Sequence, residues 1–558
     1  MQSSASFAGR AASRIGSGWQ APLFLCLAAG LLYTVNLDRL PNPDELHHAL
    51  AARGLLEDGT PRIAEGIYER GLLYTWMVAG SYALFGDSLF VARLPAVACM
   101  ALLVGALFCW IRREAGPLAA WIGAGLFAVS PFAVDMAQFS RFYAPQCLTF
   151  FVGAVLVHEA VLTTDGLRRR LLLGALALPP LLLAVYFQPT TLMGLVGVGL
   201  WGAGALAIPW LADPAVPRRR KLLTLGGVLL AGTIAAAAAL ATGIPQDFWR
   251  QYRWSPLFNQ GLEDRFWFYH AWYSLLYPSL WPATGLLALV ALAARPRAGS
   301  FALVVFAVAF LLNSLGAAKN LRYLVYAQVF LFVLWGIALA QLWPLLQGFG
   351  RDLRSALAKA LDRLAPGLGR LGTVLLAGGV LVLLATNPFW LRTASFLGDF
   401  SIPPEQPPPN WPMVHDRLMP LVTQADVVVT TEELATLYFL GRYDVRFSPS
   451  KMNELPEEEQ HEFGRDHRTG RPVITNEQSL LRIFACYPKG VILGPTASWN
   501  NPILISEHLA DLIRANAEPV ALPPASRIFA YAWDNPPSVP RRPECAGLPR
   551  FPAGESAS

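Results

Sequence analysis

Charge is what this chain has least of. Asp, Glu, Lys and Arg make up 15% of its 558 residues, against roughly 25% in an ordinary soluble domain. That scarcity argues against a water-soluble fold for most of the chain. Internal repeats and glycine-rich nucleotide fingerprints are also missing, so neither a solenoid nor a dinucleotide site is indicated. The net charge is +6, yet no basic face with interleaved aromatics accompanies it, which argues against nucleic acid as a partner. Cysteine is sparse. Of six, Cys26, Cys99, Cys109 and Cys147 fall in or beside apolar runs. Cys486 and Cys545 lie in polar sequence, where an oxidising compartment lets them pair, the alternative being two free thiols.

What the chain has instead is apolar length. Hydrophobic residues reach 54% and the mean hydropathy is +0.40. Runs of about 18 residues or more recur, each enough to cross a bilayer. They lie near 18–37, 88–111, 117–134, 144–163, 171–187, 189–211, 222–242, 273–294, 300–317, 322–344 and 371–390, predicting about eleven transmembrane helices. Basic clusters at Arg112-Arg113, Arg168 to Arg170, Arg218 to Lys221, Arg295/Arg297 and Arg351 to Arg370 occupy alternate gaps between them. Starting with Arg10 and Arg14 in the cytoplasm, the positive-inside rule places all of these inside and the C-terminus outside. The stretch from Trp19 to Val35 lacks a small-x-small cleavage site and reads as an uncleaved signal anchor.

Three parts follow: a membrane region over 1–390 with a long first outer loop over 38–87, a proline-rich connector over 391–410, and an outer domain over 411–558. In the last, Val427 to Val429, Gly490 to Gly494 and Arg527 to Trp533 read as strands. Glu432 to Leu440, closed by Gly441, and Pro502 to Ala515 read as helices, giving a small α/β domain. The tail from Asn535 is rich in proline and small residues and reads as poorly ordered.

Asp44 and Glu45 open the first outer loop, in Asn42-Pro43-Asp44-Glu45-Leu46-His47-His48. An outward carboxylate there can act as a base toward an acceptor hydroxyl or bind a cation; Pro43-Asp44-Glu45 is also a good helix start. His47 and His48 are adjacent, and side chains that point apart make a poor metal pair. Further on, Gly71 to Gly86 is apolar but short, and with Tyr74, Trp76 and Tyr82 it suits an interfacial helix.

Arg70, Arg141, Lys319 and Arg322 fall on outward loops, where the positive-inside rule does not put them. Phosphate is their natural partner as a set, while each alone could snorkel to lipid headgroups. The outer loop from Ile244 to Trp272 is dense in aromatics and carries His270. Its rings can anchor at the interface or stack on sugars.

In order and spacing, Pro43-Asp44-Glu45, Tyr68-Glu69-Arg70-Gly71-Leu72-Leu73-Tyr74-Thr75-Trp76, Leu84-Phe85-Gly86 and Ala92-Arg93-Leu94-Pro95 resemble the polyprenyl-phosphate-sugar-dependent glycosyltransferases of the type-C membrane fold. The protein O-mannosyltransferases and the aminoarabinose transferases acting on lipid A are the nearest groups. Arg322-Tyr323 and the outer α/β domain fit the same pattern. The family's basic-Pro-Pro stands here as Arg70-Gly71-Leu72, and Ser140-Arg141-Phe142-Tyr143 stands where lipid A-modifying relatives carry a further aspartate.

The resemblance implies a sugar transfer from a polyprenyl-phosphate donor to a hydroxyl of a glycolipid, lipopolysaccharide, protein or cell-wall glycan, on the outer side of a bacterial inner membrane. Asp44 would be the base of an inverting displacement, with Glu45 orienting Asp44 or the acceptor. Arg70, Arg141, Lys319 and Arg322 would hold the phosphate, and Tyr74, Tyr143, Tyr323 and His270 would contact substrate. No cofactor is required, and a divalent metal is the alternative that the adjacent histidines do not favour. The alternative is a transporter or flippase for lipid-linked sugars, which would place ionisable groups at mid-span.

Overall fold

The computed structural model describes residues 18–241, 243, 246, 266–316, 319–363, 374, 377–379, 381–383, 386–398, 400–402, 407–501, 503–534 and 545. The expected aromatic cluster between 247 and 265, residues 403–406 of the connector, and the tail apart from Cys545 lie outside them.

The membrane region begins with α1 (Gln20–Tyr33), followed by α2 (Pro43–Asp58), the short antiparallel pair β1 (Arg62–Ile63) and β2 (Gly66–Ile67), and α3 (Leu72–Phe85). The bundle continues through α4 (Leu89–Ala115), α5 (Pro117–Ala128), α6 (Pro131–Ala137), α7 (Tyr143–Leu162), α8 (Leu167–Phe187) and α9 (Thr191–Ala212). After α10 (Arg218–Ala241) come α11 (Phe268–Leu276), α12 (Thr284–Ala294), α13 (Pro296–Leu315), α14 (Val325–Asp362) and α15 (Pro388–Gly398).

Among the described residues, six helices are long and apolar enough to cross a bilayer, or up to eight if each bent pair is one span. The described part of this polytopic membrane protein therefore holds fewer full-length spans than the eleven expected, and much of the expected span near 371–390 lies outside it. Within the described residues the difference arises where an apolar run is helical over too short a stretch: α1 has 14 residues and α12 has 11. The run near 117–134 bends by 60° between α5 and α6. Ser130 caps the second piece and Pro131 takes its first turn, where a missing N–H costs nothing. Close helix approach relies on small residues, as in membrane bundles generally. A Cβ on Gly336 would sit 2.7 Å from the Cα of Gly123 and 2.8 Å from the Ala119 carbonyl.

The C-terminal domain contains α16 (His415–Gln424), β3 (Val427–Thr430), α17 (Glu433–Leu440), β4 (Val445–Phe447), α18 (Pro449–Glu454), β5 (Gly464–Arg465), β6 (Pro472–Ile474), α19 (Glu477–Cys486), β7 (Lys489–Pro495), α20 (Glu507–Asn516), β8 (Glu518–Pro519) and β9 (Ile528–Asp534). The seven strands run in the order β5-β6-β4-β3-β7-β9-β8, with β3 parallel to both β4 and β7. All four residues of β3 are buried, as expected for a strand covered on both faces. Gly441, in the left-handed region, closes α17. Cys486 and Cys545 form a disulfide.

The C-terminal domain is fused to the segment between α1 and α4. Leu46, Leu50 and Ala51 of α2 share one core with Val428, Leu434, Ala435, Val491 and Leu493. Arg471 pairs with Glu65, and Thr469 O accepts from Glu65 N. The contact presses the start of α2 between bundle and domain, and that is where Asp44 sits.

Candidate functional site

The site is built on the N-terminus of α2. Asn42 is the cap: its side chain accepts from Asp44 N, and Glu45 Oε1 accepts from Asn42 N at 2.9 Å, a reciprocal capping box. Pro43 occupies the first turn. Capping therefore falls to Asn42 and Glu45 and leaves the Asp44 carboxylate free for other partners. Its side chain is 41% exposed, so a ligand can reach it.

That carboxylate meets Arg322. Arg322 NH1 donates to Asp44 Oδ2 at 2.7 Å, and its Nε donates to Asn320 Oδ1 at 3.0 Å. Phe139 and Tyr143 lie under the guanidinium, with centroids at 4.9 and 5.8 Å. Arg141 NH1 donates to the Asp44 carbonyl and to Tyr68 Oη, both at 3.0 Å. Burial alone would raise the Asp44 carboxyl, but Arg141, Arg322 and His47 outweigh it and hold the group well below the usual carboxylate range. A carboxylate so stabilised is a weak base while Arg322 stays on it.

Tyr323 lies within electrostatic reach of Tyr143, Arg70, Arg322 and Asp44. Arg70 donates to Gln188 Oε1 at 3.3 Å and covers Phe142, which also lies beneath Arg141. The structure thus gathers Asp44, Arg322, Arg141, Arg70, Tyr143 and Tyr323. The other residues singled out in the sequence have partners of their own. Lys319 is buried and its ammonium donates to the Gly316 carbonyl. His270 accepts from Trp281 Nε1 at 3.1 Å, beside the Trp267 ring. Tyr74 is buried against His48.

Glu45 faces inward. It is 2% exposed, and Arg93 binds it bidentately, Nε to Oε2 at 2.8 Å and NH2 to Oε1 at 2.9 Å. Ser140 N donates to Oε2 as well, at 2.9 Å. No edge of this carboxylate is open to an acceptor; it positions Asp44 through the backbone of α2. Arg93 was not singled out as a candidate, although a lone arginine within an apolar span signals a buried partner.

His47 and His48 do not converge. His47 Nε2 accepts from Arg468 at 2.9 Å, which puts its proton on Nδ1, 3.1 Å from the Asp44 carbonyl. His48 bonds Thr75 Oγ1 at 2.9 Å. Among the described residues, one group has the spacing of metal ligands, Glu114, His158 and Glu159, and Arg113 pairs with both of its carboxylates. A groove of about 520 Å³ lined by Glu65, Gly66, Ile67, His461, His467 and Gly470 does not include Asp44.

Comparisons with known proteins fit this architecture. Residues 69–198 match the family model described as dolichyl-phosphate-mannose-protein mannosyltransferase. Undecaprenyl phosphate-alpha-4-amino-4-deoxy-L-arabinose arabinosyl transferase of Pseudomonas paraeruginosa is 30% identical over 249 residues, 41% of this chain and 42% of the relative. The Pseudomonas aeruginosa protein of the same name matches equally. The chain thus spans less than half the length of these curated relatives. ArnT from Cupriavidus metallidurans in the apo state superposes over 91% of this chain and 97% of its own, with a TM-score of 0.57 and 16% identity. The chain has the fold of ArnT, the type-C glycosyltransferase fold. AglB, the archaeal oligosaccharyltransferase from Archaeoglobus fulgidus, in complex with an inhibitory peptide and a dolichol-phosphate, follows at a TM-score of 0.50 and 14% identity, over 85% of this chain and 69% of its own.

Proposed function

We propose that the protein is a membrane glycosyltransferase. It moves a sugar from a polyprenyl-phosphate donor to a hydroxyl of an acceptor on the periplasmic side of a bacterial inner membrane. The observation that carries this reading is the Asp44–Arg322 pair, partly open and ringed by Arg141, Arg70, Tyr143 and Tyr323. The comparisons support it: an ArnT structure is described as bound to undecaprenyl phosphate, and the AglB complex holds a dolichol-phosphate.

The pair gives the reaction an order. A donor phosphate competes with Asp44 for Arg322, which suits a phosphate in bidentate geometry. Once Arg322 turns to phosphate, Asp44 loses the contact that weakens it as a base. The acceptor oxygen then attacks the anomeric carbon, and the bond to the phosphate oxygen breaks with its electron pair staying on phosphate. Asp44 takes the acceptor proton. Arg322, Arg141 and Arg70 stabilise the charge on the leaving phosphate, so the scheme calls for no cofactor.

Purified protein in lipid should transfer a sugar from an undecaprenyl-phosphate donor, and Asp44→Asn should abolish transfer. Because Asn no longer competes for Arg322, the variant should bind undecaprenyl phosphate more tightly, by about fivefold if the partly exposed pair is worth about 1 kcal/mol. Transfer at the wild-type rate by Asp44→Asn would remove Asp44 from the base role.

A further inference from the structure

The C-terminal domain has its own topological switch point, and Arg468 ties the domain to α2 beside this site. Its parallel strands wind outward from β3 to β4 and β6 on one side, and the chain then returns to β7 on the other. The switch point lies between the carboxyl ends of β3 and β7, where open α/β sheets bind ligands. Thr431 and Glu432 follow β3 there, and Gly494 belongs to β7. A side chain at Gly494 would collide with Thr431 Oγ1, so glycine lets Thr431 pack directly against β7. Thr431 Oγ1 is itself buried without a hydrogen-bond partner.

Glu432 is the unpaired acid of this region. Glu433 binds Arg446 at 2.7 Å and Arg468 at 3.1 Å, while Asp466 binds the same two at 3.3 and 3.2 Å. Half-buried Glu432 makes no side-chain hydrogen bond or ion pair among the described residues, and it does not cap α17. The domain contact brings the start of its helix against α2. Arg468 joins His47 to Glu433, and α17 shares its core with α2. Asp44 is among the charges that act on Glu432.

We propose that the edge of this switch point is the acceptor subsite, in which the Glu432 carboxyl hydrogen-bonds a hydroxyl-rich, sugar-like acceptor and holds it toward Asp44. The inference rests on the glycosyl-transfer reading. Burial, followed by Glu433 and Asp44, pushes the Glu432 carboxyl up to about 8 against the pull of Arg446. The other charged or titratable groups at this contact are His47 on α2 and Arg468 and Asp466 in the β5–β6 turn. At neutral pH the group is therefore mostly a neutral acid, which both donates to and accepts from an uncharged polyol. Asp44 stays ionised a short way across the site. Two carboxyls with opposite shifts have separate tasks, Glu432 holding the acceptor and Asp44 taking its proton.

The test uses the full chain in lipid nanodiscs, with undecaprenyl-phosphate-linked hexose, pentose and aminopentose as donors. Octyl glucoside serves as the acceptor probe, and slow donor hydrolysis as an acceptor-independent control. Glu432→Ala should raise the acceptor KM by about tenfold, the worth of one hydrogen bond, with undecaprenyl phosphate affinity and hydrolysis unchanged. Glu432→Gln, a neutral donor and acceptor, should restore most of that affinity. Wild-type acceptor KM should climb as pH rises through about 8, and that climb should vanish in Glu432→Gln. An unchanged KM in Glu432→Ala, or equal loss in both variants, overturns the subsite while transfer by the wild type leaves the enzyme reading standing. Absence of both transfer and hydrolysis by the wild type from every donor overturns the enzyme reading and the subsite with it.

Discussion

Replacing Arg93 by Met should cost about as much as any single change in this chain. Arg93 is 0% and Glu45 2% exposed, so neither charge is solvated. The carboxylate receives four hydrogen bonds: two from Arg93, at 2.8 and 2.9 Å, and one each from the Asn42 and Ser140 amides, both at 2.9 Å. Met fills much the same volume but leaves a buried anion with two amides and no counter-ion. It also strips the Leu37 and Arg39 carbonyls of their donor, Arg93 NH1. Breaking one side of a buried pair costs about 3–5 kcal/mol. Glu45→Gln, which strands the guanidinium instead, falls in the same range.

The double variant is the decisive measurement. With both charges gone, no uncompensated ion remains, and replacing a whole buried pair is often close to neutral. Glu45→Gln/Arg93→Met should therefore cost at least about 2 kcal/mol less than the sum of the two singles. Unfolding by a denaturing detergent in mixed micelles, followed by tryptophan fluorescence at low temperature, reads all three. A cost below about 1 kcal/mol for Arg93→Met, or strict additivity in the double, would refute the view that this pair clamps the start of α2.

The remaining predictions concern the same region and the bundle. Burial, followed by Arg141, holds His48 well below its ordinary value, so the folded protein keeps it neutral. Its contribution is intact above about 6.5 and is lost as pH falls below that, because only the unfolded chain takes up the proton. A His48→Gln variant should show a flatter loss of stability between about pH 6.5 and 5; an unchanged slope would assign the titration to another group. Gly336→Val should destabilise the contact between α5 and α14 by about 1–3 kcal/mol, since its Cβ meets backbone of Gly123 and Ala119. Wild-type stability in that variant would mean the helices can part without cost.

The long apolar helices were legible because each is a run of bilayer length, and a periodic pattern that long leaves little choice of structure. The break after Ser130 carried a readable signal too, a capping serine followed by proline, but an apolar run on both sides hides it from a hydropathy count. In the outer domain, β3, β7 and β9 were visible as short apolar runs. The two-residue strands β5 and β8 were not, since their pairing is set by neighbours rather than by their own residues. The Asp44–Arg322 pair spans 278 positions and the His47–Arg468 contact 421. No local spacing encodes either. In sequence, Asp466-His467-Arg468-Thr469-Gly470 is an ordinary polar turn, and only the docking of the domain on α2 gives Arg468 a role.

Whether Asp44 caps a helix or does chemistry turns out to be a question about its neighbours. Asn42 accepts the cap bond and Glu45 returns it, with Pro43 setting the first turn, so the segment starts its helix without engaging the Asp44 side chain. The freed carboxylate then has Arg322 as its side-chain partner, and a phosphate entering beside Arg141 and Arg70 has that same arginine to recruit. On the transfer reading, this couples donor binding to the basicity of Asp44: each raises the other by the same factor, because both draw on one guanidinium. An empty donor site keeps Asp44 quenched, so an acceptor arriving first meets a poor base. The arrangement favours donor before acceptor, and it places the acceptor's own recognition on the other domain, away from the arginines that hold the phosphate.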